Sequence, residues 1–173
     1  MTMSPRVRKA ALTAHVVSSI GWLGAIVAFL ALAIAGVSSQ DPELVRAVYL
    51  AAEPLTLYVL VPLAFASLLT GFVQSLGTKW GLLRHYWVVF KLVINLVATT
   101  VLLIYTQTVS SLARIAADLS VDVEELRGPT FILHSGAALI LLLAATVLGV
   151  FKPAGMTRYG RRKRRQLGTN SQQ

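Results

Sequence analysis

The chain has 173 residues, 55% of them hydrophobic, and a formal net charge of +9. It has no cysteine, which excludes disulfides, iron–sulfur clusters, thiolate metal sites and thiol catalysis. The three methionines, Met1, Met3 and Met156, stand outside the apolar stretches, so a copper(I) path would lack its usual soft ligands there.

Arg6, Arg8 and Lys9 precede the first apolar segment, 11–36. Its run exceeds the ~7–15 residues of a signal-peptide core, and it contains His15 and Trp22, so it reads as a retained helix. A mildly acidic loop, 37–53, follows. Within it Asp41-Pro42-Glu43 is a helix-start signal, Asp41 as cap and Pro42 in the first turn, and a short surface helix is expected. The second span, 54–77, ends in a short turn holding Gly77, Lys79, Gly81 and Arg84. That brevity makes the second and third spans antiparallel neighbours. The third span, 85–107, is expected to continue as a helix into an acidic loop, 108–128. Gly128-Pro129 stops that element and opens the fourth span, 129–151. Residues 158–173 form a polar, basic tail expected to be disordered.

Each span can cross a hydrocarbon core of ~30 Å, which takes about 20 helical residues. Lipid offers no partner to an open backbone, so the spans are helices. Charge then sets the topology. Twelve of the sixteen basic residues lie before the first span, between the second and third, or after the fourth. All seven acids, Asp41, Glu43, Glu53, Asp118, Asp122, Glu124 and Glu125, lie in the other two loops. Basic loops stay in the cytoplasm. The expected fold is therefore all-α: an integral membrane four-helix up-down bundle with both termini cytoplasmic, in a bacterial cytoplasmic (inner) membrane. Residues 1–157 form the transmembrane domain. The basic run 161–165 reads as an anchor on the anionic headgroups of the lipid bilayer, with no nucleic acid as partner. Small residues such as Gly21, Gly24, Ser67, Gly71 and Gly136 allow close helix approach, and an oligomer is left open.

Ionisable side chains at membrane depth are functional candidates because they are costly there. Four stand in or at the edges of the spans: His15, His85, Lys91 and His134. His15 is six residues past Lys9 and Lys91 is seven past Arg84, roughly 9–10 Å of helix in each case. The two are thus expected at similar depth on the basic side. His85 sits at the mouth of the third span. His134 is an outer-site candidate, about 20 Å or more from His15 by the same rise. Ser18, Ser19 and Trp22 share the His15 face, Asn95 follows Lys91 by one turn, and Thr70 and Gln74 add polarity to the second span. A polar cluster from three helices within one leaflet suits a buried haem b, whose iron takes axial nitrogen ligands between helices. Imidazole is the usual ligand, and a Lys amine serves when neutral, a form that burial favours. Three histidines allow at most one bis-histidine haem. The candidate axial pairs are His15 with Lys91 and His15 with His85, the choice depending on where the third helix begins. Ser18, Ser19, Trp22, Gln74 and Asn95 would shape the pocket. Each candidate also has a structural explanation: His15 as an interhelix hydrogen-bonding residue, Lys91 reaching to headgroups, His85 in an interfacial belt with Tyr86 and Trp87, and His134 pairing with Glu53 or a loop acid.

The stretch His15-Val-Val-Ser-Ser-Ile-Gly-Trp22-Leu-Gly24 resembles the first helix of bacterial four-helix membrane proteins related to the copper-resistance D family and the J-type protoporphyrinogen oxidase. Leu69-Thr70-Gly71, then Thr78-Lys-Trp80-Gly81-Leu-Leu, then Phe90-Lys91-Leu92 resembles their next helix pair. The resemblance covers about the first 105 residues. It implies a b-type haem held by His15 and Lys91. At 25–29 the chain has Ala25-Ile-Val-Ala-Phe29 where the oxidase has Tyr-Leu-Pro-Arg-Leu, so the resemblance does not extend to protoporphyrinogen oxidation.

The leading expectation is a haem-binding membrane protein with an electron-transfer or haem-linked redox role, its electrons exchanged with a quinone or a membrane redox partner. A second is a non-catalytic accessory subunit. A third, a small-solute or metal transporter, is opposed by the lack of sulfur ligands, intramembrane acids and inverted repeats.

Overall fold

The computed structural model describes residues 3–77 and 81–170. Lys79, with the Thr78 and Trp80 of the expected turn motif, lies outside them. The described chain is helical: α1 (Pro5–Ser38), α2 (Pro42–Leu55), α3 (Val61–Gly77), α4 (Tyr86–Ala117), α5 (Thr130–Phe151) and α6 (Arg158–Asn170). Four stretches are long and apolar enough to cross a membrane: Pro5–Ser38, Pro42–Gly77, Tyr86–Ala117 and Val123–Phe151.

The second stretch corrects the expected boundaries. The acidic loop holds no separate surface helix. Asp41 does cap a helix, its carboxylate accepting from the Glu43 N–H at 3.0 Å, but α2 runs directly into the membrane rod. Its buried face, Val45, Val48, Tyr49 and Ala52, explains why. Those residues recur at helical spacing and pack against neighbours, so the helix gains by continuing. Pro54 then interrupts the ladder, because it has no N–H and its ring crowds the preceding turn. A π-helical turn, Thr56–Leu60, follows, closed by the Val61 N–H bonding to Thr56 O just ahead of Pro62, a second residue without an N–H.

The other ends also differ. α1 begins at Pro5, six residues before the expected span. α4 runs ten residues beyond 107, as the expected extension requires, and begins at Tyr86 with His85 as its cap residue. The tail is helical from Arg158 to Asn170 rather than disordered. Thr157 nucleates it: its hydroxyl accepts from the Gly160 N–H at 3.1 Å, and its own N–H bonds Arg84 O at 3.0 Å. Gly160 lies directly on the Arg84 carbonyl, where a Cβ would collide.

The rods pack in a closed ring. α1 touches the α2–α3 rod and α5, and α4 touches the same two. Among the described residues the backbones of α1 and α4 make no close approach, nor do those of α3 and α5, so these pairs form the diagonals. One end gathers Met3 on Gly77, Thr157 on Arg84, and a backbone bridge between His85 and Met156; it is called the basic end below. At the opposite, acidic end Arg46 donates to the carbonyls of Ala116, Asp118 and Val121, and the Tyr49 hydroxyl donates to Leu126 O. The core between holds Trp22, Phe29, Leu60, Phe131 and Leu142. Large apolar side chains also cover the outside on every rod, among them Ile20, Tyr58, Ile104 and Ile140. A surface that apolar all round is what a lipid solvent accommodates.

Candidate functional site

The polar residues of the basic half converge where α1 meets α3. His15 is buried, and its Nδ1 lies 3.2 Å from both Ser67 O and Thr70 Oγ1. A carbonyl oxygen only accepts, so Nδ1 carries the ring proton and donates it. The Thr70 hydroxyl spends its own proton on Ala66 O, consistent with accepting from the ring. The neutral imidazole then presents Nε2 as a lone pair, and no described residue hydrogen-bonds to it. A backbone carbonyl on one ring nitrogen and a free second nitrogen is the arrangement that orients a ligating histidine. The ring fits because Gly71 is opposite it: a Cβ there would stand 3.0 Å from His15 Cε1.

Ser18 and Ser19 extend the same seam. Ser18 Oγ donates to His15 O at 3.1 Å, and Ser19 Oγ pairs with Ser67 Oγ at 2.8 Å. Ser67, visible in the sequence as a small packing residue, thus supplies two of the polar contacts. Its role shows only in the pairing of α1 with α3. Gln74 is half-buried one turn beyond Thr70.

Lys91 enters from α4, on the diagonal from α1. It is half-buried, with its amine against α5, where Gly149 leaves room: a Cβ at Gly149 would be 3.0 Å from Nζ. No carboxylate among the described residues pairs with it. Asn95 is buried and donates to Lys91 O at 2.8 Å, which keeps its amide on its own helix. Each nitrogen therefore projects from one diagonal, and each is admitted by a glycine of the other. The Gly149–Lys91 match has no sequence signal, because the two residues are 58 positions apart on helices without a shared motif.

The remaining candidates lie elsewhere. His85 stands before α4 at the basic rim, its backbone bridged to Met156. His134 belongs to the acidic half. It pairs with neither Glu53 nor a loop acid; Nδ1 lies 2.8 Å from Thr130 O, and the ring stacks on Tyr105 with centroids 3.9 Å apart. Trp22 is on the His15 face but two turns away, about 10 Å along the axis, where it walls a separate cavity with Tyr105 and His134. Among the described residues no three or more His, Cys, Asp or Glu side chains group as a metal site. The basic half thus holds two side-chain nitrogens, His15 Nε2 and Lys91 Nζ, that no described carboxylate engages.

No protein-family model matches this chain, and no curated protein or solved structure matches it either.

Proposed function

We propose that this chain is a b-type haem-binding protein of the bacterial cytoplasmic membrane, an up-down four-helix bundle with both termini in the cytoplasm. The reading is carried by one observation: a histidine with its Nδ1 proton committed to Ser67 O faces the bundle from one helix, and a lysine amine without a counter-ion among the described residues enters from the diagonal helix. The donor set fits the group. His15 Nε2 and Lys91 Nζ are the two side-chain nitrogens that would hold it. Lys91 is preferred to His85 because it lies inside α4, whereas His85 precedes the helix at the rim.

Bound haem supplies one-electron redox chemistry. The protein's residues do the rest. Ser67 O and Thr70 Oγ1 hold the His15 tautomer and ring plane. Ser18 and Ser19 are satisfied within the seam and Asn95 bonds its own helix, so none of them opposes the two nitrogens. Orientation follows from the cationic loops and tail gathered at the basic end, which stays on the cytoplasmic side. There α6, with Arg158, Arg161, Arg162 and Lys163, lies against anionic headgroups.

The test is the visible spectrum of the detergent-purified protein, oxidised and dithionite-reduced, for wild type, His15→Ala and Lys91→Leu. A Soret band with reduced α and β bands, lost in His15→Ala and shifted or lost in Lys91→Leu, is expected. Protein that stays colourless after haem is supplied overturns the reading and leaves the accessory subunit. The absence of cysteine makes the topology separately testable. Single cysteines at Ser120 and Gln166 should label with a membrane-impermeant maleimide from opposite sides.

A further inference from the structure

α6 has little of its own to hold it. Its 13 residues lie at the lower limit for a helix that stands alone in water. Gly160 and Gly168 weaken it further. Six of its residues are basic, and 158–173 holds no acid. Arg158 stands three and four residues from Arg161 and Arg162, as Arg161 does from Arg164 and Arg165. Like charges at that spacing repel on a helix surface. Lys163 Nζ lies 6.0 Å from the Tyr159 ring centre, the outer limit of cation–π attraction. Among the described residues, the backbone of no other helix comes close to α6. Beyond its first turn the helix therefore lacks packing to offset its repulsion, and a polyanion would supply what is missing.

The chain path favours lipid as that polyanion. Phe151 ends α5 and is 77% exposed on the apolar outside. Lys152 then takes a left-handed conformation, φ 45, and the chain turns back toward α4. Gly155 O accepts from the Tyr86 N–H at 3.4 Å, Met156 bridges His85, and Thr157 bonds Arg84. α6 thus starts level with the first turn of α4. Tyr86 and Tyr159 are both exposed there, and such aromatics suit a headgroup layer. Arg158, Arg161, Arg162 and Lys163 are exposed as well. A helix fixed at that level by its first turn meets lipid phosphates before any soluble polyanion. The same contacts serve α4, because the first N–H groups of a helix have no partner within it, and Gly155 O supplies one to Tyr86.

We propose that α6 folds on anionic phospholipid headgroups, and that its folding, through the 155–157 clamp, fixes the first turn of α4 ahead of Lys91. This deepens the membrane reading and rests on it, but is independent of haem.

The full chain is placed in nanodiscs of phosphatidylcholine alone, or of equimolar phosphatidylcholine and phosphatidylglycerol. Amide hydrogen exchange is followed over 15–33, 83–90 and 158–170. Exchange over 158–170 should be about tenfold slower in the anionic discs, an advantage that high salt removes. Exchange over 83–90 should slow with it. Replacing Arg161, Arg162 and Lys163 together by Gln should abolish the difference between the discs. Gly160→Ala favours the helix but drives a Cβ into the Arg84 carbonyl. In that variant 158–170 should still respond to phosphatidylglycerol, and 83–90 should not. Equal exchange of 158–170 in both discs, with 15–33 protected, overturns the proposal alone. Rapid exchange of 15–33 in both discs overturns the membrane reading with it. Protection of 158–170 by a polyuridylate oligonucleotide in neutral discs, with none from phosphatidylglycerol, assigns the helix to nucleic acid and also overturns it. A response of 83–90 that survives Gly160→Ala overturns the clamp.

Discussion

Around His15 the helices meet through hydroxyls, and around Phe131 they meet through rings. In the basic half, Ser19 pairs with Ser67 and His15 with Thr70, so α1 and α3 are held by directed contacts. In the acidic half, Phe131 packs on Phe29, Tyr49 and Tyr105 with centroids 5.0, 4.8 and 6.1 Å away. Arg46 and Tyr49 close that end by tying α2 to carbonyls at and just after the end of α4 and to Leu126. The difference separates two tasks. Ring packing gives rigidity without leaving groups to react. The polar seam spends its hydrogen bonds on orienting one imidazole, and leaves a nitrogen and an amine uncommitted.

Four substitutions probe this division. Phe131→Ala removes the hub of the aromatic cluster and should cost about 3–5 kcal/mol, read as thermal unfolding in detergent. On the proposed haem reading, haem content measured below the transition should be little changed; parallel loss would dissolve the distinction between the halves. Gly71→Val drives a side chain into His15 and should cost about 1–3 kcal/mol by overpacking. Here the haem spectrum should suffer more than the melting temperature, the reverse of Phe131→Ala. Arg46→Ala leaves three carbonyls without their cation, and should cost about 1–2 kcal/mol with faster hydrogen exchange confined to 116–126. Unchanged exchange there would mean the clamp contributes nothing.

The smallest effect concerns Asp118. The Ser120 hydroxyl, then its backbone N–H, hold this carboxyl below the ordinary value of 3.8. A depressed carboxyl contributes stability above pH 3.8 that is lost as pH falls through the lower, folded value. Ser120→Ala should raise the Asp118 pKa toward 3.8 by NMR titration, with no effect on the basic half.

Much of this was legible before any coordinates. Hydropathy locates four spans because a bilayer demands long apolar helices. His15, Ser18 and Trp22 are readable as one face because helical spacing alone places them there. The joined α2–α3 rod was not legible. Asp41-Pro42 marks a helix start, and Pro54 marks a break, yet burial of Val45, Val48, Tyr49 and Ala52 favours continuation through a π turn. Helicity of the tail also escaped, because its capping depends on Arg84, 73 positions earlier.

What the sequence determined by itself is the all-helical character, the spans and the segregation of charge, all properties of local composition against a lipid solvent. What only the tertiary structure decided is which residues share space. The pairing of His15 with Ser67 and Gly71, and of Lys91 with Gly149, follows from helix order and rotation around the bundle. Those are set by packing between distant segments, which no single helix encodes.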